Sequence, residues 1–138
     1  MPSTSSPLSD LLAARMAQLE ASAAAPLLAE AGARARIERL LLASDYAFER
    51  LRRHPGELAI VLGAAHAPPE PGDAEFAARL RRFRHASALA IAVRDLEGSD
   101  TIEATLAATS ALADQCQQLA LQHAEHQLAE RHGRLRTH

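Results

Sequence analysis

Three groups of residues in this chain have side-chain types and spacings that could do chemistry. The first is a set of metal-ligand types near the C-terminus: His123 and His126 share a helical face, Cys116 lies two turns earlier, and His132 follows. Imidazole and thiolate at such spacing could contribute to a zinc site, but a closed site takes four ligands and a catalytic one at least three. No HExxH or CxxC element accompanies them. The expectation is therefore no metal site, with solvated histidines and a cysteine used as a small hydrophobe.

The second group is the arginine run Arg79, Arg81, Arg82 and Arg84, extended by His85. It could hold a phosphate, an acidic protein or single-stranded nucleic acid. Helical geometry divides it, placing Arg81 and Arg84 on one side and Arg79 and Arg82 toward another. The ordinary alternative is a solvated face paired with nearby carboxylates. Arg94, next to Asp95 at a helix end, reads as a structural ion pair or cap. The third group, Gly98-Ser99-Asp100, has the look of a nucleotidyl-transfer motif, which uses Gly-Ser to hold phosphates and an Asp-x-Asp pair to hold two metal ions. The spacing fails, because Ile102 stands where the second carboxylate should be, and the segment opens a helix instead of following a strand. No P-loop, GxSxG element or nucleophile–base pair is present. The chain has no catalytic or cofactor-binding residues of its own on this reading.

The elements that must position these groups are helical. Of the 138 residues, 48% are hydrophobic and only 3% aromatic. Alanine and leucine, the strongest helix formers, supply most of the apolar material, while the residues that build strands are scarce. An all-α fold follows, a bundle of about five helices with a long C-terminal one. The net charge of -2 makes nucleic acid an unlikely general partner, since that affinity rests on a net basic surface. All fifteen Lys+Arg positions are arginine, which reads first as a coding bias and second as selection for bidentate anion contacts. The lone Cys116 cannot close an internal disulfide, and no segment approaches the length of a transmembrane helix. A cytoplasmic protein with no membrane partner is expected.

Along the chain, residues 1–8 read as a disordered Ser/Pro-rich lead, with the first helix capped by Ser9 or Asp10. Gly32 breaks the helical pattern, Ser44 or Asp45 restarts it as a cap, and His54-Pro55 ends it, because the residue before proline is pushed out of the α region. A short helix is expected from Gly56 to Ala64, then a Pro-rich linker over 66–72. Asp73 should cap the arginine-bearing helix, which Glu97-Gly98-Ser99 closes. Asp100 with Glu103 forms the expected capping box of the last helix, whose apolar positions Leu106, Thr109, Leu112, Cys116 and Leu119 recur at helical spacing up to Gly133. The helical domain spans 9–133, and 134–138 reads as a tail leading to a further domain.

The order of these features carries a resemblance. Ser44-Asp45-Tyr46, Leu51, His54-Pro55 and Leu58, followed by Leu80-Arg81, Phe83-Arg84 and the run Ile91 to Leu96, resemble the N-terminal helical region of the bifunctional glutamine synthetase adenylyltransferase/adenylyl-removing enzymes. Glu103 to Leu106 and Leu112-Ala113-Asp114 are similar to that family's continuation, so that the likeness covers Leu42 to Gly133. The chain differs from the family at Val93, Ala90 and His85-Ala86-Ser87. The resemblance implies an enzyme that moves AMP from ATP onto a tyrosine of glutamine synthetase and removes it again, with magnesium, under control of the PII signalling protein and glutamine. It places the Gly-Ser and Asp-x-Asp motif after the long helix, hence beyond His138. What it implies for these residues is an inactive helical scaffold beside a C-terminal nucleotidyltransferase domain, with Arg81, Arg84, Arg94 and Asp95 as the interdomain contacts. The competing expectations are a free-standing helical interaction module and local nucleic-acid binding through the Arg79 to Arg84 face.

Overall fold

The structure is a computed structural model that describes residues 6–133. Among these residues it is all-α. Seven helices follow in order: α1 (Pro7–Glu20), α2 (Ala25–Leu28), α3 (Ala33–Ala43), α4 (Asp45–Arg53), α5 (Leu58–Val61), α6 (Phe76–Leu96) and α7 (Ile102–His132). A 3-10 turn, Pro55–Glu57, joins α4 to α5. The short helix expected from Gly56 to Ala64 is the 3-10 turn with α5, and the expected five become seven through the four-residue α2 and the break at Ser44 that divides α3 from α4. Residues 1–5 of the expected lead and the expected tail over 134–138 lie outside the described residues.

The helix boundaries follow from identifiable chemistry, and in three places that chemistry differs from the sequence expectation. α1 starts earlier than Ser9 or Asp10: Ser6 is the cap, its hydroxyl accepting from the Ser9 N–H at 3.2 Å. Pro7 then occupies the first helical position, where its missing N–H costs nothing and its ring presets φ. α7 is capped by Thr101 instead of Asp100, the Thr101 hydroxyl accepting from the Ala104 N–H at 3.1 Å. The Asp100 carboxylate is engaged elsewhere, by Arg94 at 2.9 Å. Asp73 also acts one step ahead of the helix it was expected to cap. It accepts from the Glu75 N–H at 2.8 Å and pairs with Arg79 at 2.5 Å, and α6 begins only at Phe76. Three expectations hold as drawn. Ser44 caps α4 through the Ala47 N–H at 3.1 Å, His54 ends it before Pro55, and Gly32 turns the chain at φ +81°.

The main core is built by α1 to α6. Met16 and Leu19 of α1, Ile37, Leu40 and Leu41 of α3, Leu51 of α4, Leu58 and Val61 of α5 and Leu89 and Val93 of α6 meet in one cluster. Three arginines fasten the helices around it. Arg15 donates to the Leu41 carbonyl at 2.6 Å, pairs with Asp45 and lies over the Phe48 ring, tying α1 to the corner between α3 and α4. Arg36 joins α3 to the end of α6 through Glu97 at 2.5 Å, and to the end of α5 through the Leu62 carbonyl at 3.1 Å. Arg50 grips Glu57 with both arms of its guanidinium, at 3.0 and 2.6 Å. Glu57 is the buried charged residue of the described chain, and this bidentate pair accounts for its burial.

The last helix stands apart from that core. It contributes no residue to the cluster and packs chiefly on α6. Its inward line is Thr105, Ala108, Leu112, Cys116, Leu119 and His123, of which Cys116 alone is buried and the others are half-buried. Leu106, expected on the apolar face, points outward and is 63% exposed. At the far end the chain between α5 and α6 is latched to α7. The Gly72 N–H donates to His123 Nδ1 at 2.9 Å, and the His123 ring stacks on Phe76 with centroids 4.1 Å apart. Gly72 has φ +95°, and a Cβ there would lie 2.7 Å from His126 Nε2.

Two stability measurements check this account by urea denaturation. Arg50→Ala should cost about 3 kcal/mol, because it strands a buried carboxylate. Replacing Arg50 by Met together with Glu57 by Leu should recover most of that loss, and equal destabilisation by both variants would contradict the pairing argument. Gly72→Ala should cost about 1–2 kcal/mol through its left-handed backbone. His126→Ala in the same background should restore less than half of it, since the imidazole can swing aside while φ cannot change.

Candidate functional site

The C-terminal imidazoles and the thiol are separated by the contacts they make. His123 Nδ1 is occupied as an acceptor from Gly72, while His126 Nε2 lies 3.1 Å from Glu130 one turn on. Cys116 is buried against α6; burial pushes its thiol pKa up, with Arg84 pulling the other way. A thiol held protonated in this way is a weak ligand and a weak nucleophile. Among the described residues, no group of three or more His, Cys, Asp or Glu side chains is placed to hold a metal ion.

Gly98-Ser99-Asp100 forms the corner between α6 and α7. Gly98 takes φ +73°, Ser99 Oγ donates to Glu97 Oε2 at 3.1 Å, and Asp100 is held by Arg94. Asp95 accepts from the Thr105 hydroxyl at 3.2 Å. Arg94 and Asp95 therefore join the two long helices to each other. Both stay exposed to solvent at this corner, the Arg94 side chain by 59%.

The arginine run divides as helical geometry requires. Arg79 turns back to Asp73 and, at 3.4 Å, to Glu75. Arg82 lines a cavity of about 400 Å³ beneath the Pro68-Pro69 linker, with Phe83 and His66. Arg81 and Arg84 lie on the other side, on a groove of about 500 Å³ between α6 and α7. Leu80 on α6 and Ala113, Cys116 and Ala120 on α7 make its floor. Arg81, Arg82 and Arg84 form no ion pair among the described residues. His85 stands beside this ridge and meets the Tyr46 hydroxyl of α4 through Nδ1. Burial lowers the His85 pKa, and the charges of Arg50 and Arg84 push the same way against Glu57. The neutral imidazole is thereby favoured.

Of the four residues expected as contact points, the structure brings Arg81 and Arg84 together on one open groove and places Arg94 and Asp95, both exposed, at the α6–α7 corner, where they bond Asp100 and Thr105. The sequence reading missed Arg15, Arg36, Arg50 and His66. The last bonds Ser87 Oγ at 2.9 Å and stacks on Phe83. Only Arg50 carried a usable signal, a carboxylate seven residues on, across a helix-breaking proline.

Comparison with known proteins bears on the whole chain. Residues 16–137 match the family of glutamate-ammonia ligase adenylyltransferases, a wider span than Leu42 to Gly133. A bifunctional glutamine synthetase adenylyltransferase/adenylyl-removing enzyme of Xanthomonas campestris pv. campestris is 41% identical over 106 residues, covering 72% of this chain and 11% of that protein. The protein of the same name from a second strain is 35% identical over 142 residues, covering 98% of this chain and 15% of its own length. One from Stenotrophomonas maltophilia is 35% identical over 140 residues, 96% of this chain and 14% of the relative. The chain therefore spans 11 to 15% of the length of these curated relatives. No solved structure matches it significantly. On this evidence, running over nearly all of its helical elements, the chain belongs to the glutamate-ammonia ligase adenylyltransferase family.

Proposed function

We propose that this chain is the N-terminal helical scaffold segment of a nucleotidyltransferase that adenylylates and deadenylylates glutamine synthetase in nitrogen regulation, and that it carries no catalytic motif of its own. The observation that supports this most is the match along 98% of the chain to a protein of that name, of which it makes up only 15%. The fate of the polar side chains points the same way. Arg15, Arg36, Arg50, Arg94, Asp95 and His123 are each used to hold one helix to another or to a linker. Such a set builds a rigid body; it does not converge on a substrate-sized space with free general acids or bases.

On this reading ATP and magnesium bind in the nucleotidyltransferase domain, and glutamine synthetase and the PII protein are partners of the whole enzyme. The cytoplasm is its compartment. Cys116 is a buried cysteine without a disulfide, and no helix among the described residues is long and apolar enough to cross a membrane. A free-standing interaction module is the second reading, favoured by the large apolar side chains that α7 leaves exposed.

The test is a mass measurement. Purified chain incubated with glutamine synthetase, ATP and magnesium should leave the synthetase subunit mass unchanged, and chain added to already adenylylated synthetase should release no AMP. A gain or loss of one AMP that depends on the chain would overturn the scaffold reading.

A further inference from the structure

The α6–α7 groove carries an inference that rests on the scaffold reading and makes it specific. Three observations meet there. α7 is 31 residues long and buries only Cys116. A helix of that length with one thin buried line ordinarily shows a polar opposite face, yet Ile102, Leu106, Leu121 and Leu128 are 73%, 63%, 60% and 56% exposed. At 100° per residue these four fall on one side of the helix, adjoining Ala113 and Ala120 on the groove floor. The opposite wall carries Arg81 and Arg84, three residues apart and without a carboxylate partner among the described residues. A floor of alanines admits a close-packed helix, and two guanidiniums at one helical step call for carboxylates at the matching step on the occupant.

We infer that this groove is the docking site for an acidic amphipathic helix supplied by the remaining part of the adenylyltransferase polypeptide. The helix lays small or aliphatic side chains on Ala113, Cys116 and Ala120 and presents two carboxylates, three or four residues apart, to Arg81 and Arg84. The relatives supply the material for such an occupant, since at least 85% of their length lies outside the part this chain matches. The charge of the rim selects an acidic partner. The leucines of α7 extend the contact beyond the groove.

The experiment co-expresses the tagged chain with the Xanthomonas campestris relative's polypeptide lacking its matched segment, and measures affinity of the purified partners by calorimetry. Wild-type chain should capture that polypeptide. Arg81→Glu/Arg84→Glu and, separately, the groove-filling Ala120→Trp should each weaken binding by about tenfold or more, with the charge variant also losing its salt dependence. Arg39→Glu, an exposed change on α3, should bind as wild type, and circular dichroism should show unchanged helicity in all three. Equal binding by wild type and both groove variants would overturn the groove and leave the scaffold reading standing. No capture by the wild-type chain would overturn both. Self-association of the chain alone, abolished by Arg81→Glu/Arg84→Glu in sedimentation, would make a second copy the occupant and overturn the inference.

Discussion

The placement of α7 depends on one physical constraint: α6 has to be apolar on two sides at once. Leu89 and Val93 enter the main cluster with α3 and α5, while Phe76 and Phe83 are buried outside it, toward the linker and α7. A helix that fills one core can spare little for a second, so the contact between α6 and α7 is a single apolar line instead of a broad interface. Its register is secured by polar contacts at the two ends. Arg94 with Asp100 and Asp95 with Thr105 hold the corner, and His123 with Gly72 and Phe76 holds the far end. The same arrangement leaves a groove open beside the line, because alanines on α7 do not reach across the space between the helices.

Most helix ends whose cause lay within a few residues could be read from the sequence, the start of α1 at Ser6-Pro7 being an exception. Gly32, Ser44, His54-Pro55 and Gly133 all end or start helices as local backbone chemistry dictates. Asp100 shows where that approach fails. By local rules it is a better cap than Thr101, but its carboxylate is drawn off by Arg94 from the preceding helix, and the neighbouring hydroxyl takes the role. Leu106 fails for a related reason. Its spacing fits a helical face, but several apolar faces fit α7, and only packing against α6 decides that Leu112 and Leu119 turn inward and Leu106 outward.

The arginines were the least legible part of the candidate site. Every one of the fifteen basic positions is the same residue, so side-chain type carries no information about role. Arg15, Arg36 and Arg50 are fasteners; Arg81 and Arg84 are not. What separates them is whether a carbonyl or carboxylate from a distant element arrives within reach, as Asp45 does for Arg15, 30 residues on, and Glu97 for Arg36, 61 residues on. Partners at such separations are products of the fold. The division of the Arg79 to Arg84 run was legible, because it needs only the helical repeat.

That division also gives the chain its polarity as a building block. On the main-core side, cations are matched: Arg15, Arg36 and Arg50 each meet a carboxylate, and the helices they join bury their leucines together. On the α7 side, both kinds of surface are left open, with cations on the groove wall and leucines along the helix. Residues 124–132 continue α7 past the point where His123 meets the start of α6, which at 1.5 Å per residue carries the helix about 13 Å further. An isolated small domain gains nothing by exposing leucine along such an extension, since that invites aggregation. A scaffold segment of the kind proposed for this chain has a physical reason to do so: docking a further polypeptide on α7 would make the same leucines interior.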